Sequence, residues 1–193
     1  MSAIAIIPAR GGSKRIPRKN LRLFHGKPII SYSIEAARDC FQFATIAVST
    51  DDLEIASLAA DHGVTVLWRP PALCDDKIGT DSVMQYHMTR LQVFNEACCI
   101  YATAPLISHW DLRKGVEMLR QQDVDYVFAM GIDPNQDAAQ WYWGRTSAWC
   151  EKRHFIGPRS RMFQIKAGLH CDINTPEDFQ RAEDLYAQTH RND

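Results

Sequence analysis

The sequence predicts an α/β sandwich around a mostly parallel sheet, and three observations predict it. Short apolar runs of strand length recur along the chain and alternate with amphipathic stretches of helical period. The first run, Ala3–Pro8, is apolar throughout, as a strand buried on both faces must be. At 193 residues the chain suits one domain and is short for two. Strands alternating with helices in one domain give a three-layer arrangement, with ligands outside the carboxyl ends of the strands.

The elements follow in order. After Ala3–Pro8 comes a glycine-containing basic loop to Asn20, then a helix over Ile29–Arg38 and a second strand at Ala44–Ser49. Thr50-Asp51-Asp52 offers an N-cap to a helix that runs to about Asp61 and is stopped by Gly63. Val64–Trp68 is the third strand, ended by Arg69-Pro70-Pro71. Thr80 is read as the cap of a helix carrying Val83, His87 and Leu91 on one face, and Ala97–Ala102 as the fourth strand. Ser108 to Asp111 has the capping-box pattern before a helix to about Gln121. Strands are expected at Tyr126–Met130, Gln140–Trp143 and Met162–Ile165. Thr175-Pro176-Glu177-Asp178 opens the last helix with a cap, a proline at the first position and two acids against the dipole.

Composition narrows the function classes. Lys and Arg number 22 against 23 Asp and Glu, a near-balance that argues against a general grip on nucleic acid or an anionic membrane. No apolar run reaches membrane-spanning length and no signal-peptide pattern follows Met1, so a cytoplasmic protein is expected. The six cysteines show no C-x-x-C spacing. Cys98 and Cys99 are neighbours on a strand and should face opposite sides, which suits buried thiols better than a disulfide or zinc site. Trp68, Trp110 and Trp149 read as packing residues.

The segment from Arg10 to Asn20 carries the chemistry. Gly11-Gly12 lets the backbone approach an anion, and Arg10, Lys14, Arg15, Arg18 and Lys19 place five cations within ten residues at a strand's carboxyl end. A polyphosphate is the natural ligand. The pattern is neither G-x-x-x-x-G-K-[ST] nor G-x-G-x-x-G, which disfavours a P-loop enzyme and a dinucleotide dehydrogenase.

This loop resembles the signature of the nonulosonate cytidylyltransferases, which activate sialic, pseudaminic and related acids with CTP. Matching segments follow in the family's order: Val48 to Asp52, Arg69 to Leu73, Gly79 to Val83, Thr103 to Leu106 and Asp172 to Asp178. Cys98 to Pro105 and Gln140 to Gly144 look most like the pseudaminate branch. The resemblance implies a nucleotide-diphospho-sugar transferase (glycosyltransferase-A-like) fold of Rossmann type. It implies transfer of CMP from CTP to a nine-carbon acid, pseudaminic acid first and N-acylneuraminate as the alternative, for surface glycan or flagellin glycosylation.

By the same resemblance Arg10, Gly11, Gly12, Ser13, Lys14 and Lys19 hold the triphosphate, Asn20 reads cytosine, and Arg69 and Thr80 are further nucleotide contacts. Arg10, Lys14, Lys19 and Asp172 are the implied catalytic set. Gln140 is the candidate contact to the sugar acid. Magnesium is implied, with Asp172 and Asn174 as its ligands; the family's pattern has aspartate at both places, so Asn174 supplies an oxygen without a charge. A homodimer is a further expectation. The family's insertion, which helps form that dimer, is reduced here to about residues 131–139. That shortening and Asn174 leave an alternative open, a CTP-binding homologue of weak or no activity.

Overall fold

Ala3–Pro8 (β1) is the third strand of a seven-stranded sheet, and Ala3 to Ile7 are buried between layers on both sides. The computed structural model describes residues 2–131, 137–166 and 168–189. The other strands are β2 (Leu23–Phe24), β3 (Lys27–Pro28), β4 (Thr45–Thr50), β5 (Thr65–Trp68), β6 (Glu96–Ile100), β7 (Tyr126–Met130), β8 (Asp137–Arg145) and β9 (Ser160–Gln164). The helices are α1 (Ile29–Asp39), α2 (Leu53–Asp61), α3 (Thr80–Met88), α4 (His109–Gln121), α5 (Thr146–Cys150) and α6 (Pro176–Thr189).

The large sheet runs β5-β4-β1-β6-β8-β7-β9, and β2 pairs only with β3. β1 is parallel to β4 and β6, β4 to β5, and β7 to β9, whereas β8 lies antiparallel to β6 and β7. The chain steps from β1 out through β4 to β5, then returns to the other side of β1 at β6. That reversal opens a crevice above the carboxyl ends of β1 and β6.

Alternation along the strands splits the core in two. Ala3, Ala5, Ile7, Cys98 and Ile100 pack with Ile30 and Ile34 of α1 and Leu112, Val116 and Leu119 of α4. Ile4, Ile6 and Cys99 face Met84 and Met88 of α3 and Trp149 of α5. Cys98 and Cys99 thus lie on opposite faces, as their adjacency predicts, and burial pushes both thiols up. A third cluster joins Ile16 of the basic loop to Phe24, Ile29, Leu106, Ile173 and Phe179. Burying Ile16 completely contributes roughly 1.5–3 kcal/mol toward holding that loop down.

Several local expectations change. Gly79, not Thr80, is the cap of α3, and Thr80 is its first residue. Ser108 caps α4 in position, but its side chain makes no cap hydrogen bond. The reciprocal arrangement occurs at α6 instead, where Thr175 Oγ1 accepts the Asp178 N–H at 3.2 Å and Asp178 Oδ2 accepts the Thr175 N–H at 2.8 Å. Trp149 is buried, whereas Trp68 and Trp110 are 55% and 60% exposed and pack no core. The β2–β3 hairpin turns on His25 and Gly26, both at positive φ, and the sequence reading missed it because histidine is not the usual residue there. Helix α5 was likewise not anticipated. The 131–139 connection falls largely on residues 132–136, outside the described residues. Among the described residues no helix is long and apolar enough to cross a membrane.

Candidate active site

The crevice is a cavity of about 420 Å³. Its floor is Pro8 at the end of β1 and Tyr101, Ala102 and Thr103 after β6. One wall comes from the basic loop, through Arg10, Ser13, Lys14, Arg15, Lys19 and Asn20. Arg69, Asp76 and Thr80 come from the segment between β5 and α3, and Asn174 from the approach to α6.

The loop's backbone is fixed by acids at the start of α2. Asp52 caps that helix, accepting the Glu54 and Ile55 N–H groups at 3.0 Å each, and also binds Arg18. The Arg18 guanidinium holds the Asp52 carboxyl below its ordinary value. Arg18, one of the five loop cations, is therefore committed to the scaffold; it pairs with Glu54 as well. Gly11 donates its N–H to Asp51 Oδ1 at 2.9 Å. A Cβ at Gly11 would stand 2.4 Å from Asp52 Oδ2, so glycine is required here by close approach. A Cβ at Gly12 meets nothing within 4 Å. Neither glycine lines the cavity.

The remaining cations differ in how they are held. Arg10 and Lys14 both pair with Asp76, Lys14 at 2.5 Å. Hydrogen bonds from Lys14 and Arg10 hold the Asp76 carboxyl down, and Asp76 in turn raises Lys14. Lys19 donates from Nζ to the Ile173 carbonyl at 2.7 Å; burial pushes its ammonium down, against the opposing charge of Asp172. Asn20 is buried and donates from Nδ2 to the Arg10 carbonyl at 2.9 Å, which fixes the orientation of its amide.

Arg69 is 8% exposed, and burial lowers its pKa. Among the described residues no carboxylate lies within ion-pair distance of it. It donates from Nη2 to the Ser49 carbonyl at 3.1 Å and from Nε to Ser49 Oγ at 3.4 Å. Thr80 Oγ1 faces the Tyr101 hydroxyl at 3.4 Å, and burial raises Tyr101 to about 12.

The metal candidates are less simply arranged. Asp172 and Asn174 flank Ile173, whose burial turns the two polar side chains to the same side. Asn174 donates from Nδ2 to Asp172 Oδ2 at 2.5 Å, while its Oδ1 accepts from Arg15 at 2.9 Å. Asp172, exposed, fits a hard cation that keeps waters and phosphate oxygens in its shell. Asn174 fits less well, because its one ligating oxygen already faces a guanidinium. Asn174 lines the cavity and Asp172 does not. Among the described residues no three His, Cys, Asp or Glu side chains form a group able to hold a metal.

Gln140 lies outside the crevice. It is buried, and its Nε2 donates to the Leu169 carbonyl. A register shift between β7 and β8, with Ala139 at φ 48°, breaks the strand's alternation just before it. Tyr142 and Trp143 are both core. The sequence reading missed Asp76 and Tyr101. Asp75-Asp76-Lys77 reads as an ordinary polar loop, and Tyr101 as part of a strand.

A mostly parallel sheet whose switch point opens on a cation-lined crevice defines an α/β protein with a site suited to an anionic ligand. Residues 4–142 match the family model described as cytidylyltransferase, and the chain belongs to that family. Pseudaminic acid cytidylyltransferase of Campylobacter jejuni subsp. jejuni serotype O:2 is 34% identical to it, across 98% of both chains. The alignment's 228 positions exceed the 193 residues present here, so that relative carries positions without a counterpart in this chain. N-acylneuraminate cytidylyltransferase of Streptococcus agalactiae serotype V is 33% identical over 66% of this chain and 31% of its own length. The fold is shared with CMP:2-keto-3-deoxy-manno-octonic acid synthetase complexed with CTP, at TM-score 0.78 and 16% identity, covering 98% of this chain and 100% of that one.

Proposed function

We propose that the protein transfers CMP from CTP to a nonulosonic acid, pseudaminic acid first, and releases pyrophosphate. The observation that carries this reading is the crevice itself, where Arg10, Lys14, Lys19 and Arg69 converge on one cavity at the sheet's switch point. The full-length likeness to the Campylobacter protein supplies the acceptor class.

In this reading the anomeric hydroxyl of the sugar acid attacks the α-phosphorus of CTP. A sugar–oxygen–phosphorus bond forms, the bond to the β-phosphate oxygen breaks, pyrophosphate leaves with the electron pair, and the hydroxyl proton is released. The protein's work is charge neutralisation and alignment. Arg10 and Lys14 exchange Asp76 for phosphate oxygens, and Ser13 adds a hydroxyl donor. Lys19, anchored on Ile173, holds a fixed positive charge beside them. Asn20 keeps Nδ2 on Arg10 and offers Oδ1 to the cytosine amino group. Arg69 supplies a buried cation on the nucleotide side, and Thr80 a hydroxyl from the donor-rich start of α3.

Asp172 would hold a divalent ion, magnesium in the first instance, and Asn174 would add its oxygen only if it gave up Arg15. Such an ion neutralises charge on the transferring phosphoryl group. Action in the cytoplasm and assembly as a homodimer belong to the same reading, and light scattering checks the second. Asn174 also favours a second reading, in which CTP binds and turnover is weak. Purified protein with CTP, magnesium and a panel of nonulosonic acids decides between the two. Pyrophosphate and a CMP-sugar of matching mass are expected; binding of CTP with no product on any acceptor would select the weak homologue.

A further inference from the structure

We infer that Ser49 and His87 are positioning residues for Arg69, forming a buried polar relay that fixes its guanidinium against the nucleotide crevice. The inference rests on the nucleotide reading of that crevice. Ser49, on β4, is fully buried, and His87, on α3, is 4% exposed. Their side chains meet at 2.8 Å between Oγ and Nε2.

Hydrogen accounting sets the direction of the relay. Arg69 Nε carries a hydrogen and accepts nothing, so Ser49 Oγ accepts there. The hydroxyl then has its own hydrogen to place, and His87 Nε2 is the partner in reach. With the hydroxyl hydrogen placed on Nε2, the ring is neutral and carries its own hydrogen on Nδ1. Its surroundings agree: burial, with Arg69 and Arg90 nearby, pushes His87 down to about 4.

The relay matters because Arg69 has no carboxylate to hold it. The acid that pulls on it is Asp51, whose Oδ1 is engaged by the Gly11 N–H. A guanidinium released from Ser49 is free to turn toward Asp51 and away from the nucleotide. The Ser49 carbonyl alone cannot fix the plane of the group, since it takes one Nη2 hydrogen and is shared with the Ala9 N–H at 2.8 Å. Two bonds on one edge, through Nη2 and Nε, set that plane.

The test is a double-mutant cycle on CTP affinity, read by calorimetry beside thermal melts of the nucleotide-free protein. His87→Leu removes the acceptor, and the dissociation constant for CTP is expected to rise about five- to tenfold. His87→Gln, which keeps an acceptor, should restore it to within about twofold of wild type. In an Arg69→Met background His87→Leu should cost nothing further, because its effect passes through the arginine. Should His87→Leu not fold, Ser49→Ala takes its place in the same cycle. Equal CTP affinity in wild type and His87→Leu, or losses that simply add in the double variant, would overturn the inference while leaving the nucleotide reading intact. Failure of the wild-type protein to bind CTP would remove both.

Discussion

Replacing Arg69 by methionine separates what the crevice does for binding from what it does for folding. In the nucleotide-free protein the guanidinium is 8% exposed without an ion pair, a position that costs several kcal/mol in desolvation. Against this stand two hydrogen bonds to Ser49, one of them long at 3.4 Å, with charged bonds contributing about 1.5–3 kcal/mol each at best. Removing the donor leaves no orphan carbonyl, because Ser49 O still accepts the Ala9 N–H. Methionine fills a similar volume and adapts to irregular space. The net effect on the free protein is therefore expected between no change and a gain of about 2 kcal/mol, which for a domain of this size raises the melting temperature by up to about 8 °C. CTP binding should weaken by at least about 2 kcal/mol, since a buried charged partner is lost, and that is roughly thirtyfold in Kd. Urea denaturation without nucleotide and calorimetric titration of CTP measure the two effects. A variant less stable by more than about 2 kcal/mol that still binds CTP normally would refute the reasoning.

Four further outcomes test other parts of the site. Asp76→Asn removes the internal counter-ion of Arg10 and Lys14 and should lower the KM for CTP; a raised KM would mean that Asp76 serves the substrate directly. Gly11→Ala displaces Asp52 from the α2 cap and should cost about 1–2 kcal/mol in stability, whereas Gly12→Ala, with open space, should stay within about 0.5 kcal/mol of wild type; chemical denaturation compares them. His87 titrates near 4 in the folded chain and near 6.5 unfolded, so between those values the unfolded state binds more protons. Its contribution is present above about pH 6.5 and lost as pH falls toward 4, by roughly 3 kcal/mol in full, and His87→Gln should flatten that part of the stability profile. Asn174→Asp sets a second carboxylate beside Asp172 but also gives Arg15 an ion pair, so the ion-free melt should change little while the rise on adding magnesium or manganese grows; equal rises in the two proteins would show that no ion is held there.

The sheet was largely legible in the sequence because its central strands are buried on both faces. Runs such as Ala3–Pro8 and Ala97–Ala102 therefore announce themselves by continuous apolar character. The direction of β8 was not legible, since Gln140–Trp143 looks the same read either way, and only pairing with β6 and β7 sets it antiparallel. In the crevice, the residues that the structure brings together from the basic loop were those with a local signal, glycine and charge between a strand and a helix. Asp76 had none, because its meaning lies in Arg10 and Lys14 across the cavity. Gln140, a polar residue in an apolar strand, carries a local signal of the same kind, and the structure places it outside the crevice with its Nε2 on the carbonyl of Leu169.

The cations of the basic loop and the crevice it borders form a graded set, and that grading bears on the asparagine at 174. Arg18 is tied to the α2 cap, Arg10 and Lys14 are held by a carboxylate that a triphosphate can displace, and Arg69 is held by neutral oxygens alone. Arg15 sits between these cases, on the amide oxygen of Asn174. An aspartate at 174 would bind Arg15 as an ion pair and withdraw it from the nucleotide. The amide holds the same guanidinium at 2.9 Å without neutralising it, so its charge still faces the crevice. In that arrangement Asn174 lowers the charge offered to a metal and keeps a positive charge at the cavity wall. On the CTP reading proposed above, a site with one carboxylate fewer and Arg15 retained would bring more of its own positive charge to a triphosphate.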